Sequence, residues 1–300
     1  MSDLIAPTPG VRSRDVDPTD KLPFTTKLVY GLGGVGDMFG HWLYPNLVKP
    51  VFNMHLGLSP VLIGAVVMIA RLCDGVADVV FGWLSDNTRS RWGRRRPFIL
   101  AGALAAGLAL PWLFYASDRW DAAAPWISNR LFWFMLVSTI LFAPIIGLHS
   151  MPFASLGSEL TPNYHERTNV MAFKAAMSKV AGLYIAGAWW LARTFGMNPA
   201  TGEPDILAGA WRVAALAGAV MIAAGIANFF LLKERYYEIA RVQPQQGFWA
   251  ACRDTFRSRP FVLLTAIVVT FASATNIAND LDQYAGAYYV FGGDLGGMAK

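Results

Sequence analysis

The sequence predicts an all-α polytopic membrane protein, because it is strongly apolar, contains several membrane-length apolar runs and distributes its basic residues unevenly. Of its 300 residues, 55% are hydrophobic and 15% are charged, and the mean hydropathy is +0.38. Soluble domains usually contain about 25% charged residues. The composition therefore favours a chain that lies largely in lipid.

Seven apolar runs are long enough to cross a bilayer, whose hydrocarbon core of about 30 Å requires roughly 20 apolar residues per helix. The longest polar interval after the N-terminal tail lies between the sixth and seventh runs and separates two halves. The seven runs cover residues 28–54, 60–84, 97–117, 131–158, 169–195, 209–232 and 260–291.

We interpret residues 1–27, which are polar and lack the apolar region of a signal peptide, as a disordered cytoplasmic tail. Residues 28–232 then form an N-terminal six-helix transmembrane half, and 233–259 form a cytoplasmic loop between the halves. Residues 260–300 contain the first helix of a C-terminal half. Six spans followed by a single one predict a truncated chain.

Basic residues define the predicted topology. With a cytoplasmic N-terminus, sixteen lysines and arginines fall in cytoplasmic segments and four in segments on the opposite side. This asymmetry is typical of multi-pass proteins, and we expect the inner (cytoplasmic) membrane of a cell. Topology also explains the net charge of +5, so we expect no nucleic-acid partner.

The sequence has no signature of a soluble enzyme or of a metal centre. Its two cysteines, Cys73 and Cys252, should lie at different depths, and no cysteine–histidine spacing resembles a zinc site. The motif GLGGVG at 31–36 lies inside a span with no strand before it, so it indicates close helix packing rather than nucleotide binding. We expect neither catalysis nor a cofactor.

Three charged residues in the second span point to ion coupling. Arg71, Asp74 and Asp78 are spaced i, i+3 and i+7 and share one helix face. A charge at mid-membrane costs about 2.5–3.5 kcal/mol, so this face requires a polar cavity or partners. An Arg71–Asp74 ion pair that only fixes packing is the alternative, but it leaves Asp78 over. Two carboxylates one turn apart favour a retained proton or a small bound cation.

The loop after this span is densely basic, with five arginines between positions 89 and 96. One interpretation is a topology signal of positive charge. The other is a gating loop, in which Asp86 at the end of the span pairs with an arginine when the cytoplasmic side is closed. The residues of this second interpretation are Gly82, Asp86, Arg89, Gly93 and Arg94.

The segment DGVADVVFGWLSDNTRSRWGRRRPFIL, residues 74–100, resembles the glycoside–pentoside–hexuronide:cation symporter family, the melibiose-permease relatives within the major facilitator superfamily. The resemblance implies twelve helices in two six-helix halves and alternating access, with a sugar and a cation bound near mid-membrane between the halves. Four further segments share it: KLVYGLGGVGD, GLSP, MPFASLGSELTPNYHERTNVMAF and YYVFGGD.

In this family the second-span aspartates bind the coupling cation, and Asp74 and Asp78 match them, with Arg71 one turn earlier. Sodium-using relatives carry an asparagine where this chain has Ala77. They carry a fourth-span threonine where it has Gly147. Because two neutral oxygen ligands are missing, we favour the proton as the coupling ion, and sodium is the alternative.

Sugar recognition in the family uses one acidic residue in the first span and another in the fourth. Asp37 lies one position before the first of these, and Ser150, flanked by His149, stands in place of the second. The substitution leaves the identity of the sugar open. His149 is either a substrate-binding residue or a core histidine hydrogen-bonded to a neighbouring helix.

Three further residues are candidates for the substrate site. Lys174, inside the apolar fifth span, fits a family arginine beside the substrate. Trp42 and Tyr44 offer a stacking surface for a sugar ring, although aromatic residues in membrane helices more often pack or anchor.

These features predict a secondary active transporter that couples a sugar or glycoside to a cation, preferably a proton. The alternative from another class is a non-transporting membrane sensor or scaffold on the same fold. We expect a small-molecule sugar and the lipid bilayer as partners, and a monomer for the full-length protein.

Overall fold

The computed structural model describes residues 21–199, 202–234 and 247–290, and this part of the chain is predominantly helical. The predicted all-α class is confirmed. In chain order the elements are α1 (Phe24–Met38), π1 (Phe39–Leu43), α2 (Tyr44–Val48), π2 (Lys49–His55), α3 (Pro60–Asn87), α4 (Arg96–Trp112), α5 (Arg130–Glu159), α6 (Tyr164–Ala186), α7 (Ala188–Gly196), α8 (Ile206–Leu231), α9 (Phe248–Arg257), α10 (Arg259–Tyr284) and π3 (Ala285–Val290).

Three of the described helices, α3, α5 and α8, are each long and apolar enough to cross a membrane. The bent pairs α6 with α7 and α9 with α10 raise the number to five if each pair is one span. Helix α4 is apolar but shorter, and the first predicted span is divided among α1, π1, α2 and π2. All seven predicted spans therefore correspond to helical stretches, some of them short, bent or segmented.

The first span begins inside the predicted tail, at Phe24. Leu22 is already buried, with 5% of its surface exposed, and its N–H donates to Glu166 Oε1 at 2.8 Å. Lys27 pairs with the same carboxylate oxygen at 2.7 Å. The tail is therefore shorter than predicted, because these contacts join the start of α1 to the start of α6. Residues 1–20 lie outside the described part of the chain.

Two prolines explain why the first span is not a continuous α-helix. Pro45 and Pro50 have no amide hydrogen, so each removes a donor from the i→i−4 series. They lie beside or within the π-helical segments, in which the backbone bonding changes to the wider register. Segment π1 includes His41, and such wide turns occur frequently at functional sites.

Small residues bring the helices into close contact. Gly107 on α4 faces Gly218 on α8, and neither position has room for a Cβ atom against the opposite backbone. Membrane helices associate largely through such packing, because lipid removes the hydrophobic driving force between them. Large side chains fill the remaining space, and the largest fully buried ones are Tyr30, Phe52, Phe114 and Phe153.

The segment 233–259, predicted as a loop, contains the helix α9, so this prediction is corrected in part. The ring of Phe248 in α9 contacts Trp83 of α3 with centroids 5.7 Å apart, which places α9 beside the end of α3. Residues 235–246 and 291–300 lie outside the described part of the chain, so the predicted end of the last segment is not tested.

Gly218→Val should destabilise the helical unit, because the added side chain would push α8 away from α4. Overpacking of this kind typically costs about 1–3 kcal/mol, which thermal unfolding of the detergent-solubilised protein would detect. Ala219→Val is the matched control, since Ala219 is exposed at the next position of the same helix. Equal losses of stability in both variants would contradict the close α4–α8 contact.

Candidate functional site

An open cavity lies between the first span, α3 and α5. Each of these elements contributes a polar or charged group to its wall, which is unusual for helices that are otherwise apolar. The residues that matter for the site are Gly40, His41, Tyr44, Arg71, Asp74 and Thr139. The predicted charged face of the second span therefore meets a cavity at Arg71 and Asp74.

The two α3 carboxylates differ from the other acidic groups of the site in having unpaired oxygens. Arg71 Nη1 lies 3.5 Å from Asp74 Oδ2. Oδ1 of Asp74 and Oδ1 of Asp78 are both buried, and neither accepts a hydrogen bond from the described residues. Buried polar atoms in native proteins nearly always have a partner, so these two oxygens require an explanation.

Helix α5 approaches Asp78 through a glycine. A Cβ atom at Gly147 would lie 2.9 Å from Asp78 Oδ1. The position at which sodium-using relatives carry a threonine is thus directly beside the second carboxylate. A hydroxyl added there would enter the immediate surroundings of Asp78.

A second charged cluster surrounds Asp37 on α1. Ser150 Oγ donates a hydrogen bond to Asp37 Oδ1, and Lys174 Nζ lies 3.3 Å from Asp37 Oδ2. His41 Nδ1 lies 3.5 Å from Asp37 Oδ1 and 3.1 Å from the main-chain oxygen of Asp37. The Lys174 ammonium also sits 4.8 Å from the centre of the Phe153 ring. The structure therefore brings together Asp37, Ser150 and Lys174, which the sequence indicated separately.

His41 is the residue of this cluster that the sequence interpretation did not single out. Its spacing of i+4 from Asp37, within an apolar span, was the available signal. It lines the cavity together with Asp74. His41 therefore lies between the Asp37 cluster and the α3 carboxylates.

The three remaining substrate candidates have different surroundings. His149 has no exposed surface, and its Nδ1 lies 3.1 Å from the Ile99 carbonyl oxygen, so its placement fits the core-histidine interpretation. Trp42 is 43% exposed and is not among the residues that line this cavity, so its role as a stacking surface stays a prediction. Tyr44 does line the cavity, but it is buried and its hydroxyl accepts a hydrogen bond from Thr139.

The loop between α3 and α4 forms an ion-pair network that joins α3, α4 and α5. Arg95 Nη2 lies 2.7 Å from Asp86 Oδ1, and Arg95 Nη1 lies 2.9 Å from Glu159 Oε2. Arg94 pairs with Glu159 and lies 3.9 Å from Asp86. Arg89 is exposed on the same loop. The partner arginines of Asp86 are thus Arg95 and, more distantly, Arg94.

Glu234, which follows α8, accepts backbone hydrogen bonds from three consecutive residues. The N–H groups of Arg94, Arg95 and Arg96 donate to its carboxylate at 2.9, 2.9 and 3.1 Å. Gly93 precedes them with φ +101°, and a Cβ atom there would lie 2.6 Å from Glu234 Oε1. Glycine is required at this position both by the backbone conformation and by the approach of Glu234. A carboxylate also suits the positive N-terminal end of α4.

Gly82 has no such role in the described part of the chain. A Cβ atom at Gly82 would meet no described atom within 4 Å. Its place in the predicted gating loop therefore stays a prediction.

The fold and the charged face of α3 define an all-helical, multi-pass membrane protein with polar sites between its helices. A profile of the family described as MFS/sugar transport protein, where MFS is the major facilitator superfamily, matches residues 29–299. The chain belongs to this family, and the resemblance identified from its motifs is confirmed.

Individual relatives agree with this assignment. The chain is 35% identical over 169 residues to an uncharacterized symporter of Synechocystis, covering 53% of the chain and 29% of the relative. It is 28% identical to the putative glycoside/cation symporter YagG of Escherichia coli, covering 72% of the chain and 44% of the relative. The glucuronide carrier protein homolog of Escherichia coli is 21% identical, with 84% and 53% coverage. The chain thus spans about half or less of the length of these relatives.

Arg95→Gln should weaken this ion-pair network, because it removes the guanidinium that joins Asp86 to Glu159. Charge-assisted hydrogen bonds contribute about 1.5–3 kcal/mol, so we expect opening at this end of the helices to increase at least about tenfold. Cysteine reporters on the ends of α3 and α5 nearest Arg95 in the full-length protein would measure it.

The matched control for this variant is Arg91→Gln, which removes the same charge from an exposed position of the same loop. A pure topology signal would respond equally to both substitutions. Equal accessibility changes in the two variants would therefore contradict a gating network.

Proposed function

We propose that this chain supplies one half of a secondary active transporter that couples uptake of a sugar or glycoside to a cation, and that the cation is a proton. The family assignment and the names of its relatives support the class of activity. The observation that most favours ion coupling is the pair of buried, unpaired carboxylate oxygens of Asp74, which lines the cavity, and of Asp78, one turn further along α3.

A proton or a small cation would satisfy both of these oxygens, which a purely structural carboxylate pair would leave uncompensated. The Arg71 guanidinium neutralises the other oxygen of Asp74, so Asp78 is the better proton carrier of the two. Gly147 and Ala77 offer no side-chain oxygen to a sodium ion, which favours the proton. Sodium remains the alternative, because carboxylate oxygens are also its preferred ligands.

Asp37, Ser150 and Lys174 are the proposed sugar-binding groups, since they combine a hydrogen-bond acceptor, a hydroxyl and an ammonium in one cluster. Only 17% of the most apolar stretch of α3 is buried, against 56% of that of α5. A second helical half packed over α3 would cover its charged face and complete the cavity. The distribution of basic residues supports a cytoplasmic N-terminus in the inner membrane.

Asp78→Asn in the full-length protein should abolish accumulation of sugar driven by an inward proton gradient. The substitution removes the titrating group but keeps a polar side chain of similar size. Exchange of sugar at equal concentrations should survive, because the proposed sugar contacts lie on α1, α5 and α6. Uptake and counterflow of labelled glycosides in proteoliposomes measure the two activities separately.

Two results of that experiment would contradict the proposal. Accumulation against the gradient by the Asp78→Asn variant would show that this carboxylate is structural. Strong stimulation of the parent protein by sodium, with no response to a proton gradient, would show that the coupling ion was misassigned.

The double substitution Ala77→Asn with Gly147→Thr should introduce stimulation by sodium. Both changes add the neutral oxygens found in sodium-using relatives, and a side chain at position 147 adjoins Asp78 Oδ1. Sodium-dependent uptake should rise at least about fivefold over the parent, the lower end of typical coupling between sites. Ala77→Leu with Gly147→Val is the control, because it fills a similar space without an oxygen. Stimulation by sodium in this control would assign the effect to packing.

A further inference from the structure

His41 connects two charged clusters that the proposed transport cycle must link. On one side its Nδ1 approaches both the carboxylate and the main-chain oxygen of Asp37. On the other side it shares a cavity wall with Arg71 and Asp74. Its side chain is 22% exposed and that of Asp37 is 20% exposed, so both groups are mostly buried.

The hydrogen bond to Asp37 orients the imidazole ring. The main-chain oxygen of Asp37 can only accept, so Nδ1 carries the hydrogen of the 3.1 Å contact. Nε2 is then the ring nitrogen that remains for other interactions. His41 also belongs to the π-helical segment π1, and π-helical turns occur frequently at functional sites.

We propose that His41 is the positioning residue through which occupation of the α3 carboxylates controls the Asp37 cluster. This inference rests on the proposed function and adds to it a route between the ion site and the sugar site. This role requires no transfer of a proton to His41. It requires that the charge of the α3 carboxylates changes and that the imidazole ring changes its contact with Asp37 in response.

The charged groups around His41 make this response directional. Asp37, Lys174 and Ser150 lie on one side, and Asp74, Arg71 and, further along α3, Asp78 lie on the other. Helix α5 adds Thr139, a neutral group, to the cavity wall. When the ring is an imidazolium, with hydrogen on both nitrogens, neutralising the α3 carboxylates weakens their attraction for it. His41 then bonds fully to Asp37, which fixes that carboxylate together with Lys174 for the substrate.

His41→Asn in the full-length protein tests this role, because asparagine can keep an N–H near the position of Nδ1 but lacks the far edge of the ring. The probe is the member of a panel of nitrophenyl glucoside, galactoside, xyloside and glucuronide that the parent protein exchanges. Its Kd is measured at acidic and alkaline pH, each with and without sodium. The coupling ion should lower the parent Kd at least about fivefold, and the variant Kd less than about twofold.

If His41 had only a structural role, its replacement would lower stability or maximal binding but would leave the effect of the coupling ion on Kd unchanged. Binding by His41→Asn with the coupling ion present should therefore stay within about threefold of the parent. His165→Asn is the matched control, since His165 is exposed at the start of α6 and should leave the ion dependence unchanged. If His41→Asn fails to fold, His41→Gln replaces it with the same expectation.

The outcomes separate this inference from the proposed function. If the parent Kd does not respond to protons or sodium, or no glycoside of the panel binds, the proposed function fails and the inference with it. If the parent responds and His41→Asn responds equally, only the role of His41 is overturned. Loss of folding in both His41 variants would show a structural role and would also overturn it.

Discussion

Charge placed among lipid-facing helices is the constraint on which this structure depends, because an uncompensated charge in the bilayer is costly. The molecule compensates charge by pairing: Lys27 with Glu166 at the start of α1, Lys174 with Asp37 inside the bundle, and Arg95 with Asp86 after the end of α3. Against this pattern the unpaired oxygens on α3 stand out. Among the carboxylates of the described residues, Asp74 and Asp78 are those with a buried oxygen that has no hydrogen-bond partner, and the proposed exchangeable ion would supply one.

Charged groups on different elements can pair only where those elements approach closely, and two glycines allow such an approach. Gly147 lets α5 reach Asp78, and Gly93 lets Glu234 reach the first N–H groups of α4. A side chain at either position would separate the partners by displacing the helix or the loop. The two glycines therefore influence the electrostatics of the protein, because they determine which charged groups can come into contact.

The sequence predicted those features that depend on local spacing. The apolar runs gave the helices, and the i, i+3, i+7 spacing gave the shared face of Arg71 and Asp74. Long-range contacts were not predictable. Glu234 accepts a hydrogen bond from Arg94, which lies 140 positions earlier, and nothing in the sequence distinguishes this glutamate from a solvent-exposed one after a span. The start of α1 was missed because the apolar pattern begins after its first turn, and the depth of His149 depends on packing that one helix cannot reveal.

Helices α3 and α5 explain how the carboxylate site and the ion-pair network around Arg95 can act together. Asp78 and Gly147 meet at one level of the α3–α5 interface, while Asp86 and Glu159 meet Arg95 at its end. An α-helix rises about 1.5 Å per residue, so roughly 12 Å of rigid helix separates Asp78 from Asp86. Any rotation of α3 against α5 that adjusts the surroundings of Asp78 must also strain or relax the Arg95 pairs. On the proposed mechanism the two helices are themselves the connection, and no flexible loop has to transmit the presence of the ion to the gate.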